Sequence, residues 1–232
     1  MRHLKISMLA LALIVIFAVG TAMATPIKSY TPVLTGGSLI DFEGFSEGTL
    51  IDTQYPGVTF GQAPLAGRPQ IDVFPWLFGY GASSGDHVLT GSTEGGYSSP
   101  TIAGITAAFA TLQSAVQIFL SDTAPLGDYT VTAYDAGHSV LESLTVLASE
   151  TLPPGYSGGF FPPPGTFPLP GIFVGFERLT ADIASIQIGP SSAASDAFAV
   201  DDLRYAAIPL PSTMLLLGSG LTGLLAWRRR RQ

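Results

Sequence analysis

The chain contains no cysteine and no asparagine, and only 12% of its 232 residues are charged. The absence of cysteine excludes disulfide scaffolds, cysteine-ligated zinc, iron–sulfur clusters and thiol nucleophiles. The absence of asparagine removes a common sugar-binding side chain and every N-glycosylation acceptor site. Basic residues are also few, since ten Lys and Arg stand against 17 Asp and Glu, a formal net charge of −7. This balance argues against a nucleic-acid partner, which requires clustered basic residues.

Turn formers are abundant, with 27 glycines and 18 prolines, which favours many short strands over long helices. Residues 129–135 alternate polar and apolar side chains with the period of a half-buried strand. Similar patterns predict strands at residues 39–45, 57–60, 87–89, 105–111, 115–120, 140–147, 171–177, 183–188 and 198–205. About ten strands without a strong helical window predict an all-β fold, an antiparallel β-sandwich of the jelly-roll type. We expect this domain to span residues 39–206 and residues 25–38 to be a linker.

The N-terminus resembles a secretory signal peptide over residues 1–24. It contains, in order, two basic residues, an apolar stretch and an A-x-A cleavage motif, namely Arg2, Lys5, residues 6–19, Ala22 and Ala24. Signal peptidase would leave Thr25 as the first mature residue. The alternative is a signal helix that is never removed and stays as a membrane anchor. The apolar run is short for a full span and ends in small residues, which favours removal.

The C-terminus, residues 207–232, also has three parts in order. A short proline motif comes first and breaks the preceding strand; it comprises Pro209, Leu210, Pro211 and Ser212. An uncharged apolar segment follows at residues 213–227 and predicts a hydrophobic helix. A basic run stops that helix and comprises Arg228, Arg229, Arg230 and Arg231. Such a run stays on the cytoplasmic side of a membrane, so the domain before it would face outward.

These three elements resemble the PEP-CTERM sorting signal of Gram-negative bacteria, with Leu210 in place of the usual central Glu. The resemblance implies an exosortase-type enzyme that recognises and removes the tail. It also implies export, transient anchoring in the inner membrane, and delivery to the cell surface or the extracellular matrix. Similar tails are also labelled as an ice-binding protein C-terminal domain. A plain C-terminal membrane anchor is the alternative interpretation.

The part between the two signals is strongly acidic. It keeps four basic residues and all 17 acidic ones, a formal charge of −13. We expect it to be soluble, to repel nucleic acid and anionic lipid, and to attract divalent cations.

The two ends of this acidic domain resemble the galactose-binding-like jelly rolls, through residues 41–44 in the first predicted strand and 198–203 in the last. The resemblance implies adjacent first and last strands that hold a structural Ca²⁺, with Asp41, Glu43, Asp201 and Asp202 as matching residues. Hard cations take several oxygen ligands, which clustered carboxylates provide. Alternation along a strand would let only one of the two neighbouring aspartates face a site shared with Glu43. The alternative is a set of solvated strand ends.

Three aromatic residues, Trp76, Phe78 and Tyr80, lie in a proline-containing stretch between predicted strands. They could form a platform for a sugar ring, although a plug at one end of the sandwich is the favoured interpretation. His87 and His138 stand alone in the sequence and are interpreted as polar residues of a strand edge and a turn.

No catalytic residue can be assigned. The G-x-S-x-G match at residues 155–159 is followed by three prolines instead of a helix, and no histidine comes after it. The sequence therefore predicts an exported protein without enzymatic activity and with a structural or adhesive role. Binding of extracellular polysaccharide is one form that this role could take. A true carbohydrate-binding module and a secreted hydrolase are the competing hypotheses.

Overall fold

The computed structural model describes residues 25–63, 67–73, 82–91, 104–121, 127–152, 171–191 and 198–207. Within these residues the chain forms twelve strands and one short 3-10 helix, Ala148–Glu150. The strands are β1 (Thr25–Ser29), β2 (Ser38–Ile40), β3 (Val58–Ala63), β4 (Gln70–Val73), β5 (His87–Thr90), β6 (Gly104–Gln113), β7 (Ala115–Ser121), β8 (Tyr129–Tyr134), β9 (Val140–Val146), β10 (Ile172–Glu177), β11 (Ile183–Pro190) and β12 (Ala199–Ala206). No helix in this described part is long and apolar enough to cross a membrane.

The strands form two sheets in which every pairing is antiparallel. The larger sheet has seven strands in the order β1-β10-β7-β12-β5-β4, with β2 also paired to β12. The smaller sheet has five, in the order β3-β6-β11-β8-β9. One hydrophobic core draws on both sheets; it includes Val116, Ile118 and Leu120 from β7 and Ile186 and Ile188 from β11.

The predicted all-β antiparallel fold is confirmed, while the signal helix and the C-terminal helix fall outside the described residues. Each of the ten predicted strands has a counterpart. The first one is much shorter than expected, because β2 ends at Ile40. Phe42 adopts a φ of 58° and turns the chain out of the sheet while its ring stays fully buried.

The expected linker at residues 25–38 is in part a strand. β1 pairs with β10 along its whole length, from Thr25 opposite Glu177 to Ser29 opposite Phe173. Ile27 and Leu34 are buried in a small apolar cluster with Ala115. This apolar contact and the backbone pairing explain why the segment is part of the fold.

The first and last described residues of the domain lie at the same end of the larger sheet. Thr25 is opposite Glu177, Glu177 is opposite Ala115, and Ala115 is opposite Ala206. These four residues form one row across β1, β10, β7 and β12. We call this end of the sandwich the tail end, because the C-terminal segment leaves it after Ala206.

Candidate functional site

The two neighbouring aspartates of β12 are buried and bound to one loop. Asp201 Oδ2 accepts the backbone N–H of Ser83 at 2.7 Å and that of Ser84 at 3.0 Å, together with the Ser83 hydroxyl at 3.2 Å. Asp201 Oδ1 accepts the backbone N–H of Asp202 at 2.7 Å. Asp202 Oδ1 accepts the Ser84 hydroxyl at 2.8 Å. Both carboxylates therefore hold the loop that leads into β5.

Asp201 and Asp202 both contact this loop, although neighbouring residues of a regular strand point to opposite faces. The register of β12 against β7 shifts between Asp201 and Arg204, and Asp202 has a φ of 46°. A bulge of this kind breaks the alternation of side chains and turns neighbouring residues toward one side. Regular alternation in the sequence gives no sign of it.

Glu43 holds the next part of the same loop. Its Oε1 accepts the backbone N–H of Asp86 at 3.0 Å and that of His87 at 2.9 Å. Its Oε2 lies 2.8 Å from His87 Nδ1, which is also 2.8 Å from Asp86 Oδ1. Gly85, at a φ of 53°, passes so close to the Glu43 carboxylate that any side chain there would collide with it.

Asp41 lies close to Glu43, because its Oδ1 accepts the Glu43 backbone N–H at 3.3 Å. Burial raises the pKa of Tyr55 to about 12, with the charges of Asp41, Glu43 and Asp201 acting in the same direction. The buried Tyr55 hydroxyl has no hydrogen-bond partner among the described residues. Three of the four predicted carboxylates, Asp41, Glu43 and Asp201, therefore lie within electrostatic range of Tyr55. The fourth, Asp202, is the next residue after Asp201.

Burial raises the pKa of Asp201 to about 7. The backbone N–H groups of Ser84, Asp202 and Ser83 act against this rise, and the neighbouring Asp202 carboxylate adds to it. Asp201 has no exposed surface, so water does not solvate its charge.

The contacts of this acidic cluster fit a calcium cage poorly. A calcium ion takes six to eight oxygen ligands, yet both oxygens of Asp201 and of Glu43 already face N–H or O–H donors. The guanidinium of Arg204 also lies 3.4 Å from Asp202 Oδ2. Hydrogen bonds from backbone and serine donors therefore account for the clustering without a cation, and the calcium site stays a prediction from the resemblance.

Glu43, Asp86 and His87 are the group in the described ranges that could offer three ligand atoms to a metal, all within 4.8 Å of one another. Sequence reasoning treated His87 as an isolated strand-edge residue. The contact with Glu43 joins residues 44 positions apart, which local patterns cannot reveal. The Glu43 and Asp86 oxygens both lie at hydrogen-bond distance from His87 Nδ1. The hydrogen bonds by which Glu43 holds the loop before β5 therefore explain this group without a metal.

A second feature lies at the tail end. An open groove of roughly 620 Å³ lies beside the last described residues, Ala206 and Ala207. Its walls include Leu34 and Gly37 from the segment after β1, and Gln113 from the end of β6. Gln117 Oε1 accepts the backbone N–H groups of Val33 and Leu34 at 2.9 Å each and so holds that segment against the sheet.

The groove ends at the point where the C-terminal segment leaves the fold. Ser114 donates its backbone N–H to the Ala206 carbonyl oxygen at 3.0 Å, and its own carbonyl oxygen accepts the Arg178 N–H at 2.7 Å. The turn between β6 and β7 thus connects the last strand to the loop after β10. The exit of the tail is thereby fixed relative to both sheets.

The other predicted site residues cannot be placed. The proline motif (Pro209, Leu210, Pro211, Ser212), the basic run (Arg228, Arg229, Arg230, Arg231), the aromatic set (Trp76, Phe78, Tyr80) and the cleavage residues Ala22 and Ala24 lie outside the described residues. Thr25, the expected first mature residue, is the first residue of β1.

Comparison with known families identifies the segment that follows this exit. The model of the PEP-CTERM protein-sorting motif matches residues 207–231. The chain carries a PEP-CTERM sorting motif. This motif implies export and sorting by an exosortase, with transient membrane anchoring before delivery to the cell surface or the extracellular space. The motif is found although Leu210 replaces the usual central Glu.

The remaining comparisons concern the whole chain. No curated protein matches it. Among solved structures it is similar to the K2 cleaved adhesin domain of Lys-gingipain, with 14% sequence identity and a TM-score of 0.36. That alignment covers 78% of this chain and 99% of the adhesin domain.

Proposed function

We propose that this chain is a non-catalytic protein of the cell surface or extracellular matrix, with a structural or adhesive role, in a Gram-negative bacterium. The observation that carries the proposal is the match of residues 207–231 to the PEP-CTERM motif, which begins directly after the last strand. The domain before it is a β-sandwich with a formal charge of −13 between the two signals. A charge of this size favours solubility in the hydrated matrix to which such a tail delivers its cargo.

The intact mass of the protein recovered from the surface and the medium of producing cells tests the sorting part. We expect a mass that begins at Thr25 and ends near Pro211, which would show removal of both terminal signals. A mass that still includes Arg228 to Arg231 would contradict the proposal and make the chain a membrane-anchored periplasmic domain.

Deletion of the four terminal arginines tests the role of the tail more directly. The deletion should trap unprocessed protein or divert it, because the basic run fixes the topology of the apolar segment. Replacement of all four by lysine is the matched control, since it keeps the charge and should leave delivery intact. Normal surface delivery of the deletion variant would contradict the sorting mechanism.

The proposal that the protein has no catalytic activity is tested separately. A broad glycosidase and esterase screen of the purified protein should show no turnover. Turnover that disappears when one carboxylate or serine is substituted would overturn this part and favour a secreted hydrolase.

Binding of extracellular polysaccharide is the second candidate role. It is supported by three aromatic residues, Trp76, Phe78 and Tyr80, placed within seven positions after β4. Aromatic rings pack against the C–H faces of sugars. Trp76→Ala and Tyr80→Ala should abolish retention on a matrix glycan column without changing the unfolding transition. Unchanged retention would exclude this platform.

A further inference from the structure

The two terminal signals leave the sandwich at the same end. Thr25, Glu177, Ala115 and Ala206 form one row of paired residues across four adjacent strands. Adjacent strands are about 4.8 Å apart, so the two termini are separated by only about 15 Å at this level. The chain therefore enters and leaves the described fold at the tail end.

The connection on the C-terminal side is short. Five residues, 208–212, separate Ala207 from the start of the apolar segment at Thr213. A fully extended chain spans at most about 3.5 Å per residue, so the six steps from Ala207 to Thr213 reach no more than about 21 Å. While the apolar segment is in the membrane, the tail end is held next to the lipid surface and cannot drift away from it.

Two exposed apolar side chains flank the exit of the tail. Leu112 and Leu179 are 42% and 53% exposed. Leu112 lies two positions before Ser114, and Leu179 directly follows Arg178. Hydrogen bonds connect Ser114 to Ala206 on one side and to Arg178 on the other, so both leucines belong to the corner from which the tail leaves.

The loop that contains Leu179 is closed by an ion pair. The Arg178 guanidinium binds the Asp182 carboxylate through two bonds, Nε to Oδ1 at 2.6 Å and Nη2 to Oδ2 at 2.9 Å. Leu179 lies in the loop that this ion pair closes. The pairing with Asp182 neutralises Arg178 beside the exposed Leu179, which suits contact with lipid, while Glu177 stays exposed on the neighbouring strand β10.

We propose that the tail end of the sandwich rests on the lipid surface while the chain is anchored, with Leu112 and Leu179 in contact with the headgroup region. This inference rests on the proposed anchoring by the PEP-CTERM tail. Burial of two leucines is a weak attraction by itself, but the short connection keeps the local concentration of lipid high. Removal of the tail ends that advantage, so the same processing step that cuts the chain also releases the domain from the membrane.

The absence of cysteine makes a direct test possible, because a single introduced cysteine can carry a fluorescent label. Labels at Leu112→Cys and Leu179→Cys would probe the tail end. A label at Leu147→Cys, where the native side chain is 47% exposed, is the matched control. Leu147 follows β9 on the side of Tyr129, away from the row that contains Ala206. The full chain is placed in phosphatidylcholine vesicles that contain a lipid with a nitroxide on its headgroup.

We expect quenching at positions 112 and 179 to exceed that at position 147 by severalfold, with the same unfolding midpoint in all three labelled chains. Equal quenching at the three positions in chains that float with the vesicles would overturn the lipid contact and leave the anchoring intact. Failure of the chain to float with the vesicles would overturn both. The vesicles contain no other protein, so quenching cannot come from a processing enzyme.

Discussion

Ser114 donates both its backbone N–H and its hydroxyl to the carbonyl oxygen of Ala206, at 3.0 Å and 3.2 Å. Ala206 is the last residue of β12, and the PEP-CTERM motif begins at the next position. The turn between β6 and β7 therefore holds the fold closed immediately before the sorting signal. Loss of residues 207–231 would remove none of the twelve strands that the described residues form, as a cleavable signal requires.

Gly37 should be essential for the packing around the exit of the tail. It has a φ of 91°, and a Cβ atom there would collide with the Tyr205 carbonyl oxygen and lie 2.8 Å from Ala206 Cβ. Gly37→Ala should lower the free energy of unfolding by about 2 kcal/mol or more, since strain and overlap add. Gly36→Ala is the matched control, because nothing lies within 4 Å of its added Cβ. Urea unfolding of both variants checks this, and equal stabilities would contradict the packing described here.

Glu43 should contribute to stability through the loop that it holds. Glu43→Ala leaves the backbone N–H groups of Asp86 and His87 without their acceptor. We expect a loss of about 1 to 3 kcal/mol in the free energy of unfolding. Glu177→Ala, at the exposed end of β10, is the control and should change it by less than about 0.5 kcal/mol. A loss no larger than that of the control would show that Glu43 does not hold this loop in solution.

The stability of the fold should depend on pH through Asp201. Its pKa is about 7 in the folded chain, against an ordinary value of 3.8. Between these values the folded state binds more protons than the unfolded state, so this contribution is complete below pH 3.8 and is lost as the pH rises toward 7. A shift of about three pH units corresponds to roughly 4 kcal/mol at most.

Unfolding measured from pH 4 to 8 checks this dependence. Asp201→Asn removes the titrating group and should flatten the decline, whereas Glu142→Gln should leave it as in the parent chain. A decline of equal size in Asp201→Asn would assign the pH dependence to other groups.

The effect of calcium is a further prediction. The resemblance to the galactose-binding-like jelly rolls and the observed hydrogen bonds of the acidic cluster lead to opposite expectations. The resemblance implies a structural ion bound by Asp41, Glu43, Asp201 and Asp202, whereas these carboxylates accept N–H and O–H donors instead. From the contacts we expect the melting temperature to be unchanged by EDTA or by millimolar CaCl₂. A rise of several degrees with CaCl₂ that Asp202→Asn abolishes would instead establish the calcium site.

Most strands could be predicted because their side chains follow a local rule. β8 alternates buried and half-buried residues without exception, from Tyr129 to Tyr134. β1 and β4 were missed because they are short and their burial depends on distant partners. β1 buries Ile27 against Leu34 and Ala115, and β4 buries Ile71 in the main core. Single apolar residues of this kind do not make a period that a sequence pattern can show.

The acidic cluster was predicted in composition but not in arrangement. The four carboxylates could be named because they lie at the two ends of the domain. Their partners could not, since Ser83 and Ser84 of the loop and His87 at the start of β5 do not belong to any recognised motif. The bulge at Asp202 is equally hidden, because aspartate tolerates a positive φ but adopts one too rarely for the residue type to predict it.

The sequence by itself determined the sorting motif and the all-β character of the chain, because a terminal signal and a strand period are both local patterns. The tertiary structure decided which distant residues meet. It placed Thr25 in the same row as Ala206, and it bound Asp201 to a loop about half the chain away, 118 positions from Ser83. Such contacts follow from the order and register of the strands. These are fixed only when both sheets bury their apolar faces in one core.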